Sequence, residues 1–460
     1  MVKTVYTVTV PGEGHRGGSP IASVYHVSFT KILFSNLYGI AVSNILIFML
    51  GTPASFLGVA SALNALAYFV GPLVFQGLSI RAGIKRTIFA INIVDLALML
   101  IVSSVPAPSI IIAMFFISGF SNSVFWANMA ASIHAWQDWS PEHHHGTIYR
   151  RYVASWISGG IASEMIGVVV IAFGFDDRFV LAVSIALAIV QLPLSYRVSL
   201  PPIDAKIKEE RKIMRAESRK HESLGRMLVV PVCFMILAEI SVQMIRGTYD
   251  FLYPFIVRED GGSTALIYIM SLLQRFAYMS GIFVSSKLGI HGQHAGAMMG
   301  LGIATILAVN TIIAPMHLLF AFAVVFSDFA TGLIYGYSSQ VLLRYSKKGN
   351  ALRLASLYET ASGAGYGVTV ILAGLGGDHD VRLIFIGLSA FLAVAFAVFA
   401  IAACKGSTVC NRFVDNCLQV PVLASGISIQ ILLRSVYTPV DAPSSSKPEA
   451  LVMLLDTAKK

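Results

Sequence analysis

Apolar blocks of about twenty residues recur along the chain, each closed by a Gly, Pro or charged turn. That is the length an α-helix needs to cross the hydrocarbon core of a bilayer. Block length and breaks place spans near 24–50, 54–79, 87–105, 109–136, 148–175 and 179–198. A second set follows near 227–257, 264–288, 295–313, 318–345, 351–375 and 381–404. Between the sets lies Leu200–Arg226, the long charged run of the sequence, centred on Lys206–Lys220. The pattern predicts an all-α membrane protein of 12 transmembrane helices in two pseudo-symmetric six-helix bundles. The expected divisions are an N-terminal segment (1–23), bundles at 24–198 and 227–404, a connector (199–226) and a C-terminal tail (405–460). Within the tail, 418–436 is apolar but broken by Pro421, Gly426 and Arg434.

The two halves repeat one another. Ala67-Tyr68-x-x-Gly71 returns as Ala277-Tyr278-x-x-Gly281, and Phe120-Ser121-Asn122 as Phe326-Ser327-Asp328. Gly146-x-x-x-Arg150 returns as Gly349-x-x-x-Arg353. Each pair is separated by a little over two hundred residues and holds the same place in its half. Internal duplication of this kind is a signature of secondary transporters.

Composition supports the membrane reading: 56% of residues are hydrophobic and 12% charged, with a mean hydropathy of +0.74. The formal charge of +9 does not point to nucleic acid, because the basic residues sit in connectors between spans. Arg81, Lys85, Arg86, Arg150, Arg151, the basic residues of 206–226, Lys287, Arg344, Lys347, Lys348 and Arg353 occupy one set of connectors. The opposite set holds Arg178, Arg258 and Arg382. The positive-inside rule then puts the first set, the connector and both termini in the cytoplasm of a cell (plasma) membrane protein. The first residues show no cleavable signal peptide. The cysteines (Cys233, Cys404, Cys410, Cys417) lack metal or disulfide spacing, so no metal and no cofactor is expected. His143–His145 fall in an expected polar loop without a carboxylate cluster beside them, which fits a solvated loop better than a metal site.

The six-plus-six arrangement, charged connector and duplication resemble the major facilitator superfamily over about 24–404. The local element is Gly77-Leu-Ser-Ile-Arg81-Ala-Gly83-Ile-Lys85-Arg86, which resembles that superfamily's loop Gly-x-x-x-Asp-Arg-x-Gly-Arg-Lys/Arg. Aligned on Arg81-x-Gly83, it is one residue short after Gly77, gains Ile84 before Lys85-Arg86, and has Ile80 at the acidic position. In the family that acid joins a charge latch at the cytoplasmic side. The resemblance therefore implies a gating role for Gly77, Arg81, Gly83, Lys85 and Arg86, set against simple positive-inside anchoring. Span 5 has Ser158-Gly-Gly160 but not the Gly-Pro end of the family's drug/proton antiporters.

Ionisable groups at membrane depth are costly and face a cavity or a partner. On span 7, Glu239, Gln243, Arg246 and Asp250 share one helical face. Span 8 offers Arg275 among Tyr268, Ser271 and Tyr278; span 10 offers Asp328, Thr331, Tyr335 and Ser339; span 11 offers Glu359, Ser362 and Tyr366. The first half adds Asn36, Tyr38 and Asn44, then Asn122, Trp126 and Asn128, then Glu164. By resemblance, spans 1, 4, 7 and 10 line the central cavity, flanked by 2, 5, 8 and 11. Asp95 on span 3 is the exception to that scheme. The competing reading is structural: pairs such as Glu239–Arg246 or Arg275–Asp328 would hold the bundle together. Glu239 and Asp328, then Glu164, are the candidates for carrying a proton in a coupled cycle.

These readings favour a secondary active transporter moving a small solute by alternating access, as a monomer in the lipid bilayer, with protons as a candidate coupling ion. The alternatives are a drug or metabolite efflux antiporter and a non-transporting receptor or scaffold on the same fold. The sequence holds no H-E-x-x-H, G-x-S-x-G or Walker-type loop, so an enzyme or an ATP-driven pump is not expected.

Overall fold

The computed structural model describes residues 21–104, 107–140, 142–201, 225–288, 290–313, 317–345, 351–377 and 381–405. The charged core of the connector, most of the expected N-terminal segment and the expected tail lie outside them. In order, the helices are α1 (Ala22–Asn44), α2 (Ala54–Ala82), α3 (Ile84–Ser104), α4 (Pro108–Trp139), α5 (Glu142–Ala172) and α6 (Asp177–Tyr196). Then come α7 (Gly225–Glu259), α8 (Thr264–Lys287), α9 (Ile290–Ile313), α10 (His317–Tyr345), α11 (Ala351–Gly377) and α12 (Val381–Lys405). They form one compact unit, except for the first residues of α7 as far as Val232, which fall in a second.

Among the described residues, 11 helices are long and apolar enough to cross a membrane. The remaining one is α11, where Ser356, Glu359, Thr360, Ser362, Tyr366 and several glycines dilute the apolar run. Those small residues serve packing. Gly363 lies against the backbone of Phe69 and Ala65 on α2, Gly365 against Ile240 on α7, and Gly374 against Gly58 on α2. Small residues let helix backbones approach closely where lipid supplies no hydrophobic drive for association.

Packing repeats between halves. α2 packs on α4 as α8 packs on α10, α3 on α6 as α9 on α12, and α3 on α4 as α9 on α10. The most extensive contacts between the bundles are α2 with α11 and α5 with α8, which a shift of six helices exchanges, and α4 also packs on α11. The duplicated tyrosine-glycine motif marks the α2–α4 crossing and its counterpart, α8–α10. Gly71 meets Phe120 and Ser123 of α4, while Gly281 meets Phe329 and Gly332 of α10. A Cβ on Gly332 would meet the Tyr278 carbonyl and lie 3.0 Å from Gly281 Cα. Overpacking of this kind costs about 1–3 kcal/mol. Gly332→Leu is therefore expected to lower the melting temperature in detergent, measured by monodisperse protein surviving heating.

Several expected connectors are tighter than the apolar pattern suggests. A single residue, Gly83 at φ +88°, separates α2 from α3, and only glycine adopts that conformation freely. Arg81 thus lies in the last turn of α2, and Lys85 and Arg86 lie in the first turn of α3. His143–His145, expected in a loop, belong to the start of α5. Asp177, expected in the turn before span 6, is the first residue of α6 and is buried, while Asp176 caps that helix by accepting from Phe179 N at 3.2 Å. The turns after odd-numbered helices share one end of the bundle, here the odd-turn end; the others form the even-turn end.

Candidate functional site

The charged residues of α7 form one network because their spacing puts them on one face. Gln243 Nε2 donates to Glu239 Oε1 at 2.9 Å. Arg246 faces Asp328 Oδ1 of α10 at 3.4 Å and Asp250 Oδ2 at 3.9 Å. The Tyr278 ring lies 5.1 Å from its guanidinium. Gln274 of α8 donates to Asp250 at 2.7 Å. The network crosses between the bundles where Arg275 Nε of α8 donates to Glu164 Oε1 of α5 at 3.1 Å. Gly160, one turn before Glu164, makes room for this. A Cβ there would stand 3.3 Å from Arg275 Nε and 3.4 Å from Asn36 Nδ2.

On α7 the side chains of Gln243, Arg246 and Asp250 keep accessible surface, while their immediate neighbours are buried. Arg246 is 17% exposed, Arg275 18% and Asp250 35%, although each lies well inside its helix. Glu359, Ser362 and Tyr366 form a similar stripe on α11. Beside them, Ser338 of α10 links Glu239 at 3.4 Å and the Tyr358 hydroxyl at 3.2 Å, and Tyr68 of α2 donates to Glu359. Tyr335 packs against Tyr278, Trp156 and Tyr358, with ring centroids 5.7, 5.9 and 6.4 Å away.

Of the residues singled out from the sequence, Asn36, Glu164, Glu239, Gln243, Arg246, Asp250, Arg275, Asp328 and Tyr335 come together. Asn122 and Trp126 do not join the charged network among the described contacts. Asn122 donates to Ser118 at 3.2 Å, and Trp126 packs edge-on against Phe125 at 5.0 Å. The expected pairs are exchanged. Glu239 takes neutral donors, Arg246 turns to Asp328, and Arg275 reaches across to Glu164. The spacing on α7 fixed the face but not the partner, which depends on how α10 and α5 sit against it.

Sequence reasoning missed Lys31. It lies inside α1, fully buried, paired with Asp95 of α3 and flanked by the rings of Phe34 and Phe125 at 5.0 and 5.1 Å. Ser121 of α4 completes the group, donating to Asp95 Oδ1 at 2.6 Å. This explains Asp95 on a peripheral helix. The readable signal was two lone opposite charges on spans 1 and 3. Of the loop residues, Arg81 and Arg86 are exposed, and Lys85 stands over the Tyr196 ring of α6 at 4.8 Å, a contact within the first bundle. The described structure says nothing of the side chain at Ile80.

Contacts between bundles flank the network on both sides. At the odd-turn end, Asp177 Oδ1 accepts from Asn44 at 2.9 Å and from Tyr268 of α8 at 2.8 Å. Arg258, near the end of α7, donates to the carbonyls of Ile47 and Thr52 at 3.3 and 3.4 Å. Ile47 lies in a π-helical turn (Ile45–Met49) that ends the first span. Toward the even-turn end, Trp156 of α5 packs on Tyr278 and Tyr335, and Thr360 donates to the Phe69 carbonyl at 3.3 Å.

No protein-family profile matches the chain, and no curated protein matches it in sequence. Solved structures do match in fold. A D-xylose–proton symporter superposes with a TM-score of 0.63 at 14% identity, covering 84% of this chain and 98% of that one. The nucleoside transporter NupG gives 0.55 at 14% identity, covering 85% and 100%. The human organic anion transporter MFSD10 (TETRAN) gives 0.60 at 13% identity, covering 83% and 100%. The chain has the major-facilitator fold.

Proposed function

We propose that this chain is a secondary active transporter that carries a small organic solute across a cell membrane by alternating access. The observation that supports it best is the Arg275–Glu164 pair, a charged contact between two duplicated bundles in the middle of their joint. A purely structural interface in lipid has no need of charges such as Arg275, Arg246 and Asp250 that keep accessible surface at that depth, whereas a solute path does. The cross-bundle contacts at the odd-turn end, Tyr268–Asp177 and Arg258 with the Ile47 and Thr52 carbonyls, involve few groups each. They suit a gate that opens and closes. In this reading the even-turn end and both termini face the cytoplasm, one copy suffices, and Glu239 carries the coupling proton.

The test is uptake by proteoliposomes holding the full chain, screened on a metabolite mixture with and without a pH gradient. The expected result is accumulation of a solute above empty vesicles, driven by the gradient. Glu239→Gln is expected to keep solute exchange but lose its response to the gradient. If no solute accumulates or exchanges, the reading fails.

A further inference from the structure

The central network is unbalanced in charge. Glu164, Asp250 and Asp328 pair with Arg246 and Arg275, and Glu239 and Glu359 add two more carboxyl groups, a formal excess of three. Arg246 and Arg275 are already engaged with Asp250, Asp328 and Glu164. Glu239 and Glu359 are held by the neutral groups Gln243, Ser338 and Tyr68. Unneutralised carboxylates in a water-poor interior are costly, so the space beside them favours a positive guest and disfavours an anionic one.

A second, separate observation concerns unmatched atoms. The side chain of Glu164 is 1% exposed, and its Oε2 has no hydrogen-bond partner. Asn36 Nδ2 is also buried without one. Asn36 Nδ2 and Arg275 Nε, the donor to Glu164, both lie against Gly160. A buried polar atom left unpaired is costly, so such atoms mark where a guest belongs. Glu164 Oε2 requires a donor, while Asn36 Nδ2 requires an acceptor. The rings of Tyr278, Tyr335 and Trp156 stand beside the same network, and aromatic faces attract cations.

Resting on the transporter reading above, we infer that the solute is a protonated amine bearing a neighbouring oxygen acceptor, as in an aryl amino alcohol. Its ammonium donates to Glu164 Oε2, and its oxygen accepts from Asn36 Nδ2.

The experiment measures binding to the purified full chain in lipid nanodiscs, followed by exchange in proteoliposomes. The probes share one phenyl ring: 2-amino-1-phenylethanol, phenethylamine, 1-phenyl-1,2-ethanediol and mandelate. The amino alcohol is expected to bind best and mandelate not at all. Glu164→Gln is expected to weaken both amines at least about tenfold, the worth of one charge-assisted hydrogen bond. Asn36→Ala, which breaks no ion pair, is expected to erase the preference for the amino alcohol over phenethylamine. Stronger binding of the diol or of mandelate overturns the inference, as does failure of either amine to bind, or amine binding indifferent to both substitutions. Exchange of the diol or mandelate alone would overturn the amine assignment and leave the transporter reading standing. Amine binding with no exchange of any probe, and none of the metabolite mixture, would do the reverse.

Discussion

Replacing Lys31 by Met is expected to leave little folded protein, and replacing Asp95 by Asn as well is expected to restore most of it. Lys31 is 1% exposed and Asp95 7%, so either charge left alone would be buried without water. Removing one partner of a buried pair costs about 3–5 kcal/mol, whereas replacing both by groups of similar volume is often close to neutral. Ser121 and the rings of Phe34 and Phe125 soften the loss for one partner each but supply no full charge. Folded yield after extraction, with melting of what is recovered, checks the pattern. Equal damage in the single and double substitutions would show that the pair is not what joins α1 to α3 and α4.

The second large effect is expected at Arg246, where fold and transport should separate. Arg246→Ala removes the counter-charge of both Asp328 and Asp250 and the cation over Tyr278. Breaking the pair is expected to cost about 3–5 kcal/mol of folding stability and to lower folded yield, and exchange per folded molecule is expected to fall as well. Adding Asp328→Asn relieves the stranded, buried carboxylate and is expected to recover folded yield. Exchange should stay low, because the cation beside Asp250 and the Tyr278 ring remains missing. Recovery of exchange along with yield would make Arg246 a bundle-holding residue and nothing more.

Much of the architecture was readable before any coordinates. Apolar length and the Gly71/Gly281 repeat anticipated the helices and their duplicated crossings, since both depend on local pattern and residue size. The α7 face was readable for the same reason: positions 239, 243, 246 and 250 obey helical period alone. Pairings were not, because they depend on rotation and depth of neighbouring helices. Arg275 was expected beside Asp328; it pairs with Glu164 instead because α5 packs on α8. Lys31 was hidden by its own neighbours, a single cation in the long apolar run 24–50. Asp177 was hidden by its place in a charged turn, where burial against Asn44 and Tyr268 leaves no mark in the sequence.

The central claim is that the two bundles rock about the network so that the two ends open in turn. The most direct measurement is a pair of spin-label distances in the full chain in lipid. One pair sits at the odd-turn end, at Pro53 and Ser263; the other sits at the even-turn end, at Lys85 and Lys287. The account predicts at least two distance populations for each pair, shifting in opposite directions when the transported solute is added. A single unchanging distance at both ends, or lengthening of both together, would contradict it.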